Sequence, residues 1–439
     1  MKQWTLWAMI FIAVTPISAQ EKKAIDIDEA VKIAMKNNIQ VISAQNNYNS
    51  TVAAVLPKTW GQNLPTISAN ANYSHTMLNA VNARADSSNF GQFGSPKSNS
   101  YSYSLNANYV IFDGLKRYDE MSRARIDESS ARFDYENTRQ EVTLNVYESY
   151  INVLKNQQLL KIAEENLKRS EEQLKRLEER NRLGAQILSD VYKQRVQVGS
   201  DKLALNRAKN NLRTSKASLN NLIGEDVNTE FELKELSLDV SFDSKQFDFM
   251  QSYETALESR KDYLASKKKV ESTRRSLSIA KSGYFPTLSA VASYNWNNTA
   301  LNFKDYNNQD NASIGLNLSI PIFTGFQTNT GVVQADQRYQ TERSNLETTK
   351  RKVALDIKIA LLNMQTSYEN VKLSEENVKS AKEDLRLATE RYNLGAGTVL
   401  DQITANTGYS TAEANYTQSI YDFIYARQQY FLAVGILGN

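Results

Sequence analysis

Two side chains that enzymes often use for catalysis and metal binding, cysteine and histidine, are absent or nearly absent from this sequence of 439 residues. It contains no cysteine, and His75 is the single histidine. Disulfides, thiolate nucleophiles and thiolate zinc centres are therefore excluded, and histidine-based triads and two-histidine metal sites are nearly excluded. The remaining residues form no catalytic, metal-binding or cofactor-binding motif. The 52 lysines and arginines nearly balance the 49 aspartates and glutamates, without a basic stripe, so neither an enzyme nor a nucleic-acid-binding protein is expected.

Two carboxylates, Asp190 and Asp401, each follow a short turn of similar sequence. Residues 180–185 read Arg-Asn-Arg-Leu-Gly-Ala, and residues 391–396 read Arg-Tyr-Asn-Leu-Gly-Ala. The glycine of each turn is expected to reverse the chain in the left-handed conformation. Each aspartate falls in the first turn of the helix predicted to follow, where a carboxylate stabilises the positive end of the helix dipole.

These turns belong to an internal duplication. The two turns lie 211 residues apart, and so do the segments Val110–Leu115 and Pro321–Phe326. Upstream, the segments Leu64–Thr66 and Phe285–Thr287 lie 221 residues apart, because the first copy has a longer loop. Each copy is predicted to contain a helix, a strand, a loop, a second strand, a long helix, a turn and a returning helix.

The first residues predict an export signal. Lys2 precedes the apolar run from Trp4 to Val14, and the small residues up to Ala19 suit a cleavage site. A buried core helix or an inner-membrane anchor is the alternative. The predicted segments are a signal peptide over 1–19, a first repeat over 20–224, a connecting segment at mid-height over 225–249 and a second repeat over 250–439.

Four runs alternate apolar residues with serine, asparagine and glycine, at about 66–74, 101–111, 288–296 and 313–322. This period of two predicts strands with one apolar face. Each run is roughly ten residues long, the length of a tilted strand that crosses a bilayer. The other face is uncharged and suits a water-filled lumen, although a soluble antiparallel sheet is an alternative.

Four strands cannot close a barrel by themselves. Open sheet edges are not tolerated in lipid, because unpaired backbone groups there cost several kcal/mol each. Several chains must therefore share one barrel if the strands span a membrane. Two chains give eight strands with a filled interior, and three give twelve strands with a water-filled lumen.

Two long helices are predicted over 115–182 and 328–393, because these stretches lack proline and nearly lack glycine. Shorter helices are predicted over 28–56, 187–222, 250–283 and 398–435, with Pro57, Pro65 and Pro286 ending helices. Heptad spacing in the long helices indicates coiled-coil packing. The apolar seam positions are Val153, Leu160, Leu167 and Leu174 in the first copy and Met364, Val371, Val378 and Leu385 in the second.

The ordered set of markers resembles the TolC-like outer-membrane efflux family over essentially the whole mature chain. The resemblance implies an α+β membrane fold: a trimeric twelve-stranded barrel continued by an antiparallel α-helical coiled-coil tunnel in the periplasm. It also implies a passive exit duct for efflux or type I secretion. Such a duct docks with a periplasmic adaptor and an inner-membrane pump, which selects the cargo. A non-porous trimeric coiled-coil stalk or surface protein is the alternative.

The resemblance also assigns roles to the two turns, which we call the tip (Arg180–Asp190 and Arg391–Asp401). The implied adaptor-docking residues are Arg180, Leu183, Gly184, Arg391, Leu394 and Gly395. The implied aperture residues are Asp190, Tyr392 and Asp401, with Tyr392 linked to Asp190. Gly397 and Thr404 depart from the family pattern, which has an arginine and a second acidic ring there. The alternative is that these residues only make the turns.

Overall fold

The computed structural model describes residues 24–77, 97–236, 240–242, 247–298 and 310–437. The predicted signal peptide, 1–19, lies outside the described residues. The chain forms two compact units. The first contains residues 24–38, Asn145–Ser241 and Ser367–Tyr425, and the second contains Ile39–Leu144, Phe242–Thr366 and the residues from Ala426 onward.

The secondary structure repeats along the chain. The first set is β1 (Ala24–Ile25), α1 (Ile27–Asn37), α2 (Ile39–Thr59), β2 (Thr66–Met77), β3 (Lys97–Phe112), α3 (Lys116–Arg182) and α4 (Leu188–Ile223). The second set is β4 (Glu232–Leu233), α5 (Phe249–Ser259), α6 (Lys261–Ser282), β5 (Thr287–Asn298), β6 (Asp310–Ser319), α7 (Gln327–Asn393) and α8 (Val399–Val434). The helices α3 and α7 each have 67 residues, and α4 and α8 each have 36. These equal lengths confirm the predicted repeat.

The heptad positions of the long helices are buried or half-buried, as predicted. Val153 and Leu177 of α3 are fully buried, and so is Met364 of α7. Small residues lie between the large ones, with Ser170 and Ala388 both 2% exposed, which lets neighbouring helices approach closely. Among the described residues, no helix combines the length and the apolar character needed to cross a bilayer.

The helices predicted over 28–56 and 250–283 are wrong as single helices, because each is broken once. Asn38 separates α1 from α2 with an extended backbone (ψ 128°), and Arg260 separates α5 from α6 in the same way (ψ 122°). The N–H of each residue still donates to the carbonyl four residues earlier, at 2.8 and 2.9 Å. The breaks therefore leave the preceding helices properly closed.

Each break lies against the glycine that ends a returning helix. Gly224 ends α4 in the left-handed region (φ 77°), and a Cβ there would lie 2.7 Å from the Asn37 Cβ. Gly435 follows α8 (φ 83°), and a Cβ there would lie 2.8 Å from the Arg260 backbone nitrogen. The buried Arg260 also forms ion pairs with Asp262 (2.6 Å) and Asp356 (2.9 Å). These contacts are tertiary, which explains why local sequence signals did not predict the breaks.

The prolines behave differently from one another. Pro65 and Pro286 directly precede β2 and β5, as predicted. Pro57 does not end its helix, which continues to Thr59. Pro57 lacks the N–H that would donate to the Ala53 carbonyl, and it lies close enough to the helix end that the helix still closes. The Thr59 hydroxyl donates to the Val55 carbonyl at 2.9 Å.

The second unit contains a four-stranded antiparallel sheet in the order β2-β3-β5-β6. In its register, apolar residues lie opposite apolar residues, and polar residues lie opposite polar residues. Leu105 lies opposite Ala69 and Tyr294, whereas its neighbour Asn106 lies opposite Ser68 and Ser293. One face of the sheet is therefore apolar and the other carries serine and asparagine, as the alternation predicts.

The last alternating run is longer than its strand. β6 ends at Ser319, so Ile320 and Ile322 continue the pattern outside the strand. Pro321 lies between them and has no N–H to donate to a strand ladder, which explains why the strand does not extend over them.

The first unit contains a small sheet that was not predicted. β1 and β4 pair in parallel over two residues each. The Tyr150 hydroxyl of α3 donates to the carbonyls of Ile25 (3.0 Å) and Lys234 (2.8 Å) and so links both segments to the helix. Strands this short have no periodicity that a sequence pattern reveals.

Candidate functional site

The two turns of the tip have the same backbone geometry. Gly184 and Gly395 are left-handed, with φ of 75° and 77°, as predicted. In the first turn the Ala185 N–H donates to the Arg180 carbonyl at 2.8 Å, and in the second the Ala396 N–H donates to the Arg391 carbonyl at 2.9 Å. These bonds cap the long helices and leave the chain free to return as α4 and α8.

The structure brings the two turns together around a small apolar core. Leu177 of α3, Val191 of α4 and Val399 of α8 are almost fully buried and form one cluster. Tyr392 of α7 packs against this cluster. The ends of both hairpins are therefore held together by burial of apolar side chains.

The predicted link between Tyr392 and Asp190 runs through a third residue. The Tyr392 hydroxyl donates to Gln186 Oε1 at 3.0 Å, and Gln186 Nε2 donates to Asp190 Oδ2 at 2.5 Å. Lys193 Nζ pairs with Asp190 Oδ1 at 3.2 Å. The Arg180 guanidinium lies over the Tyr392 ring, 5.5 Å from its centroid. Tyr392 is thus contacted by Arg180 at the end of α3 and by Gln186 in the first turn.

Asp401 forms a reciprocal cap at the start of α8. The Thr398 N–H and hydroxyl donate to Asp401 Oδ2 at 2.9 and 2.8 Å, and the Asp401 N–H donates to Thr398 Oγ1 at 3.2 Å. The backbone hydrogen bond, followed by the hydroxyl bond, lowers the pKa of Asp401. Its carboxylate is exposed, so it combines a capping role with a fixed negative charge at the tip.

Apolar side chains at the turns face solvent. Leu183 is 72% exposed and Leu394 is 84% exposed, and both arginines of the predicted docking set, Arg180 and Arg391, are also exposed. Leucine at such exposure contributes nothing to the core of this chain. The pair forms an exposed apolar tip with adjacent positive charge.

Gly397 and Thr404, the two residues that depart from the family pattern, have different surroundings. A Cβ at Gly397 would lie 3.1 Å from the Tyr392 backbone nitrogen and 3.2 Å from the Arg391 Cβ, so a side chain there requires the turn to shift slightly. Thr404 lies on α8 beside a groove that also contains Thr407 and Gly408. Neither position supplies a charge to the tip.

Two residues of the site were not predicted. Gln186 bridges Tyr392 and Asp190, but its repeat counterpart is Gly397, so comparing the copies gives no signal. Thr398 caps Asp401, and here a signal exists, because Thr-x-x-Asp before a helix resembles a capping box. Within the part of the chain that the structure describes, no group of three histidine, aspartate or glutamate side chains could hold a metal ion.

Both repeats contribute a long helical hairpin and two strands of the four-stranded sheet, so the fold is a duplicated α+β architecture. The sequence profile of the family described as outer membrane efflux protein matches residues 38–225 and again 252–435. The chain belongs to the outer membrane efflux protein family. The double match also agrees with the internal repeat.

Individual relatives support the same assignment. Outer membrane protein TolC of Vibrio cholerae is 24% identical over 270 residues, which cover 59% of this chain and 60% of that relative. The chain therefore spans less than two thirds of the TolC relative. Outer membrane efflux protein BepC of Brucella suis is 22% identical over 420 residues, covering 93% of this chain and 90% of that protein.

A solved structure shares the fold. The CmeC outer membrane channel of Campylobacter jejuni superposes with a TM-score of 0.78 at 21% identity, over 93% of this chain and 85% of that chain. The proteins that this chain resembles are outer membrane proteins and channels rather than enzymes.

Proposed function

We propose that three copies of this chain form a passive exit duct in the outer membrane, with the helical hairpins in the periplasm. The sheet carries this proposal. Its apolar face is exposed, with Ile314 at 90% and Leu316 at 72%, while the opposite face bears uncharged serine and asparagine. Lipid suits the first face and water suits the second.

The unpaired edge strands of the sheet support a barrel built from several copies of the chain. Among the described residues, β2 and β6 each pair with one neighbour only. Unpaired edges are not tolerated in lipid, so each must pair with another copy. Three copies close a barrel of twelve strands, wide enough for a water-filled lumen. The sequence contains no energy-supplying site, so a separate inner-membrane pump drives transport and selects the cargo.

The tip is proposed to contain the aperture of this duct. Three copies of Asp401 near one axis form a ring of carboxylates that attracts cations, and the Tyr392–Gln186–Asp190 chain of hydrogen bonds holds the two hairpins of each copy together. The exposed leucines and arginines beside them fit an adaptor surface with apolar and acidic residues.

The purified protein is expected to form channels in planar bilayers that divalent cations block. Replacing Asp401 by alanine should raise the conductance and make it much less dependent on divalent cations. The wild-type block should persist as pH falls from 7 to about 4, which is near the pKa of an ordinary aspartate. The hydrogen bonds from Thr398 lower the pKa of Asp401, so its carboxylate stays more ionised at that pH than an ordinary aspartate would.

The matched control is Asp422→Ala, which removes an aspartate from the same helix outside the turn. Unchanged block in Asp401→Ala would exclude the carboxylate ring. A protein that forms no channels and remains a water-soluble single chain would contradict the duct itself and favour a non-porous stalk.

The double variant Leu183→Asp, Leu394→Asp is expected to reduce co-purification with the periplasmic adaptor from the same genome by more than tenfold. Two added charges per copy would prevent burial of the exposed leucines in an apolar contact. Leu183→Met with Leu394→Met is the control, because it keeps the apolar surface. Normal adaptor binding by the aspartate variant would show that the tip only makes the turns.

A further inference from the structure

A half-open cavity lies in the first unit where α3, α4, α7 and α8 meet. Its volume is about 150 Å³, and all four helices contribute side chains to its wall. The polar residues of the lining include Arg169, Gln173 and Arg176 from α3, Gln194 from α4, Thr389 from α7 and Gln402 from α8, and Leu385 and Ile403 add apolar surface. A cavity with polar groups in its wall can hold water or another polar molecule.

One wall of the cavity holds a buried acceptor without a donor. Gln194 is 2% exposed, and its Nε2 donates to the Ser170 carbonyl at 3.0 Å. That bond fixes the orientation of the amide, because the opposite orientation would place two oxygens together. Gln194 Oε1 is left with no hydrogen-bond partner. A buried acceptor in this position requires a donor from whatever fills the cavity.

Two arginines in the wall, Arg169 and Arg176, have hydrogen-bond donors to spare. Arg176 donates from Nε and Nη2 to Gln173 Oε1, at 3.2 and 2.9 Å, and Arg169 donates from Nε to Asn406 Oδ1 at 3.1 Å. Each guanidinium has five N–H donors, so both retain donors for a further acceptor.

Three acidic residues lie in or beside the wall, and the buried Asp201 accepts hydrogen bonds from the wall residues Ser170 and Gln197. Glu172 is the single carboxylate in the wall. Glu413 lies outside the wall, 3.8 Å from Arg169 at the closest nitrogen–oxygen distance. Guanidinium groups that face a cavity are suited to oxyanions, whose oxygens accept charge-assisted hydrogen bonds.

The second repeat shows that the fold does not need these residues. The positions 211 residues after Arg176 and Gln194 are Leu387 and Ala405. Leu387 is 43% exposed and Ala405 is buried, so the second copy has neither a guanidinium nor an amide at these places. Arg176 and Gln194 therefore have no polar counterparts in the second repeat, although α7 and α8 of that repeat complete the wall.

We propose that this cavity binds a small oxyanion that carries at least one hydroxyl group, with hydrogen phosphate as the simplest member. The anionic oxygens accept from Arg169 and Arg176, and the hydroxyl donates to Gln194 Oε1. The volume equals roughly five waters at about 30 Å³ each, which accommodates a tetrahedral anion of five heavy atoms. A bound anion would join helices of both repeats close to the tip.

Phosphate and sulfate distinguish this site from a general anion site. The two ions have the same shape, but sulfate carries no proton at neutral pH and has no hydroxyl to offer Gln194. Isothermal titration of the full-length detergent-solubilised protein at pH 7 and matched ionic strength should give at least tenfold tighter binding of phosphate. The melting temperature should rise with phosphate and much less with sulfate.

Gln194→Leu should abolish the preference for phosphate, whereas Gln418→Leu should retain it. Gln418 is on α8 outside the cavity and donates to Asp422 at 2.6 Å. If Gln194→Leu does not fold, Arg176→Met provides the second variant and should weaken phosphate binding at least tenfold.

Equal binding of both ions, no binding of either, or a preference that survives Gln194→Leu would overturn the proposal. The readout is binding and needs no channel activity, so failure of the proposed duct leaves the test unaffected.

Discussion

Replacing Gly224 by alanine is expected to destabilise the protein much more than the same change at Gly184. Both glycines are left-handed, with φ of 77° and 75°. A Cβ at Gly224 would lie 2.7 Å from the Asn37 Cβ and 2.8 Å from the Asn37 carbonyl oxygen, whereas a Cβ at Gly184 meets nothing within 4 Å. Gly184→Ala therefore measures backbone strain alone, and Gly224→Ala measures strain plus a clash with backbone.

The expected cost is about 1–2 kcal/mol for Gly184→Ala, from the left-handed backbone alone. Displacing Asn37 adds roughly 1–3 kcal/mol at Gly224. Gly435→Ala and Gly395→Ala form an equivalent pair in the second repeat, because a Cβ at Gly435 would lie 2.8 Å from the Arg260 nitrogen and one at Gly395 meets nothing within 4 Å. Urea midpoints of the purified variants measure the difference. Equal losses within each pair would show that the break and the returning helix do not constrain each other.

The contact between Gly224 and Asn37 is an example of a feature that the sequence does not predict, whereas other parts of the fold were predictable. The long helices and the strands follow from local signals: α3 was expected over 115–182 and is observed over Lys116–Arg182. The breaks at Asn38 and Arg260 have no such signal, because neither residue is a glycine or proline. They form where a returning helix ends against an earlier one, which is a contact between residues far apart in sequence.

At the tip, too, some features follow from the local sequence and others do not. The left-handed glycines follow from the Leu-Gly-Ala turns and from the physics of chain reversal. Gln186 was missed because its role depends on Tyr392, more than 200 residues later, and the repeat has no counterpart for it. The aperture and docking roles of the tip residues rest on family resemblance and stay predictions.

The two copies of the repeat share a backbone but differ in side chains. At the equivalent positions 194 and 405 the first copy has a buried glutamine and the second has alanine. At 186 and 397 the first copy has a bridging glutamine and the second has glycine. Duplication preserves helix lengths and turn geometry, whereas Gln186 and Gln194 of the first copy have no glutamine counterpart in the second. A sequence repeat therefore predicts architecture better than it predicts a site.

Ile314→Arg is expected to abolish assembly in the outer membrane, whereas Ser313→Arg should be tolerated. The two residues are neighbours near the middle of β6 and point to opposite faces. Ile314 lies opposite Ala292 on the apolar face, and Ser313 lies opposite Ser293 on the polar face. If the apolar face contacts lipid, an arginine at mid-strand costs about 2–4 kcal/mol per chain near the bilayer centre. The cost arises three times in the proposed trimer.

On the polar face an arginine remains in water, and the main loss is the hydrogen bond between the Ser293 and Ser313 hydroxyls, which are 2.8 Å apart. Such a bond contributes roughly 0.5–1.5 kcal/mol. The measurement is the amount of heat-modifiable trimer in outer-membrane fractions, compared by electrophoresis with and without boiling. Ile314→Arg should reduce it more than tenfold and Ser313→Arg less than twofold. Equal loss in both variants, or normal assembly of Ile314→Arg, would mean that the apolar face does not contact lipid, because residues one position apart in a strand differ in little except the face they occupy.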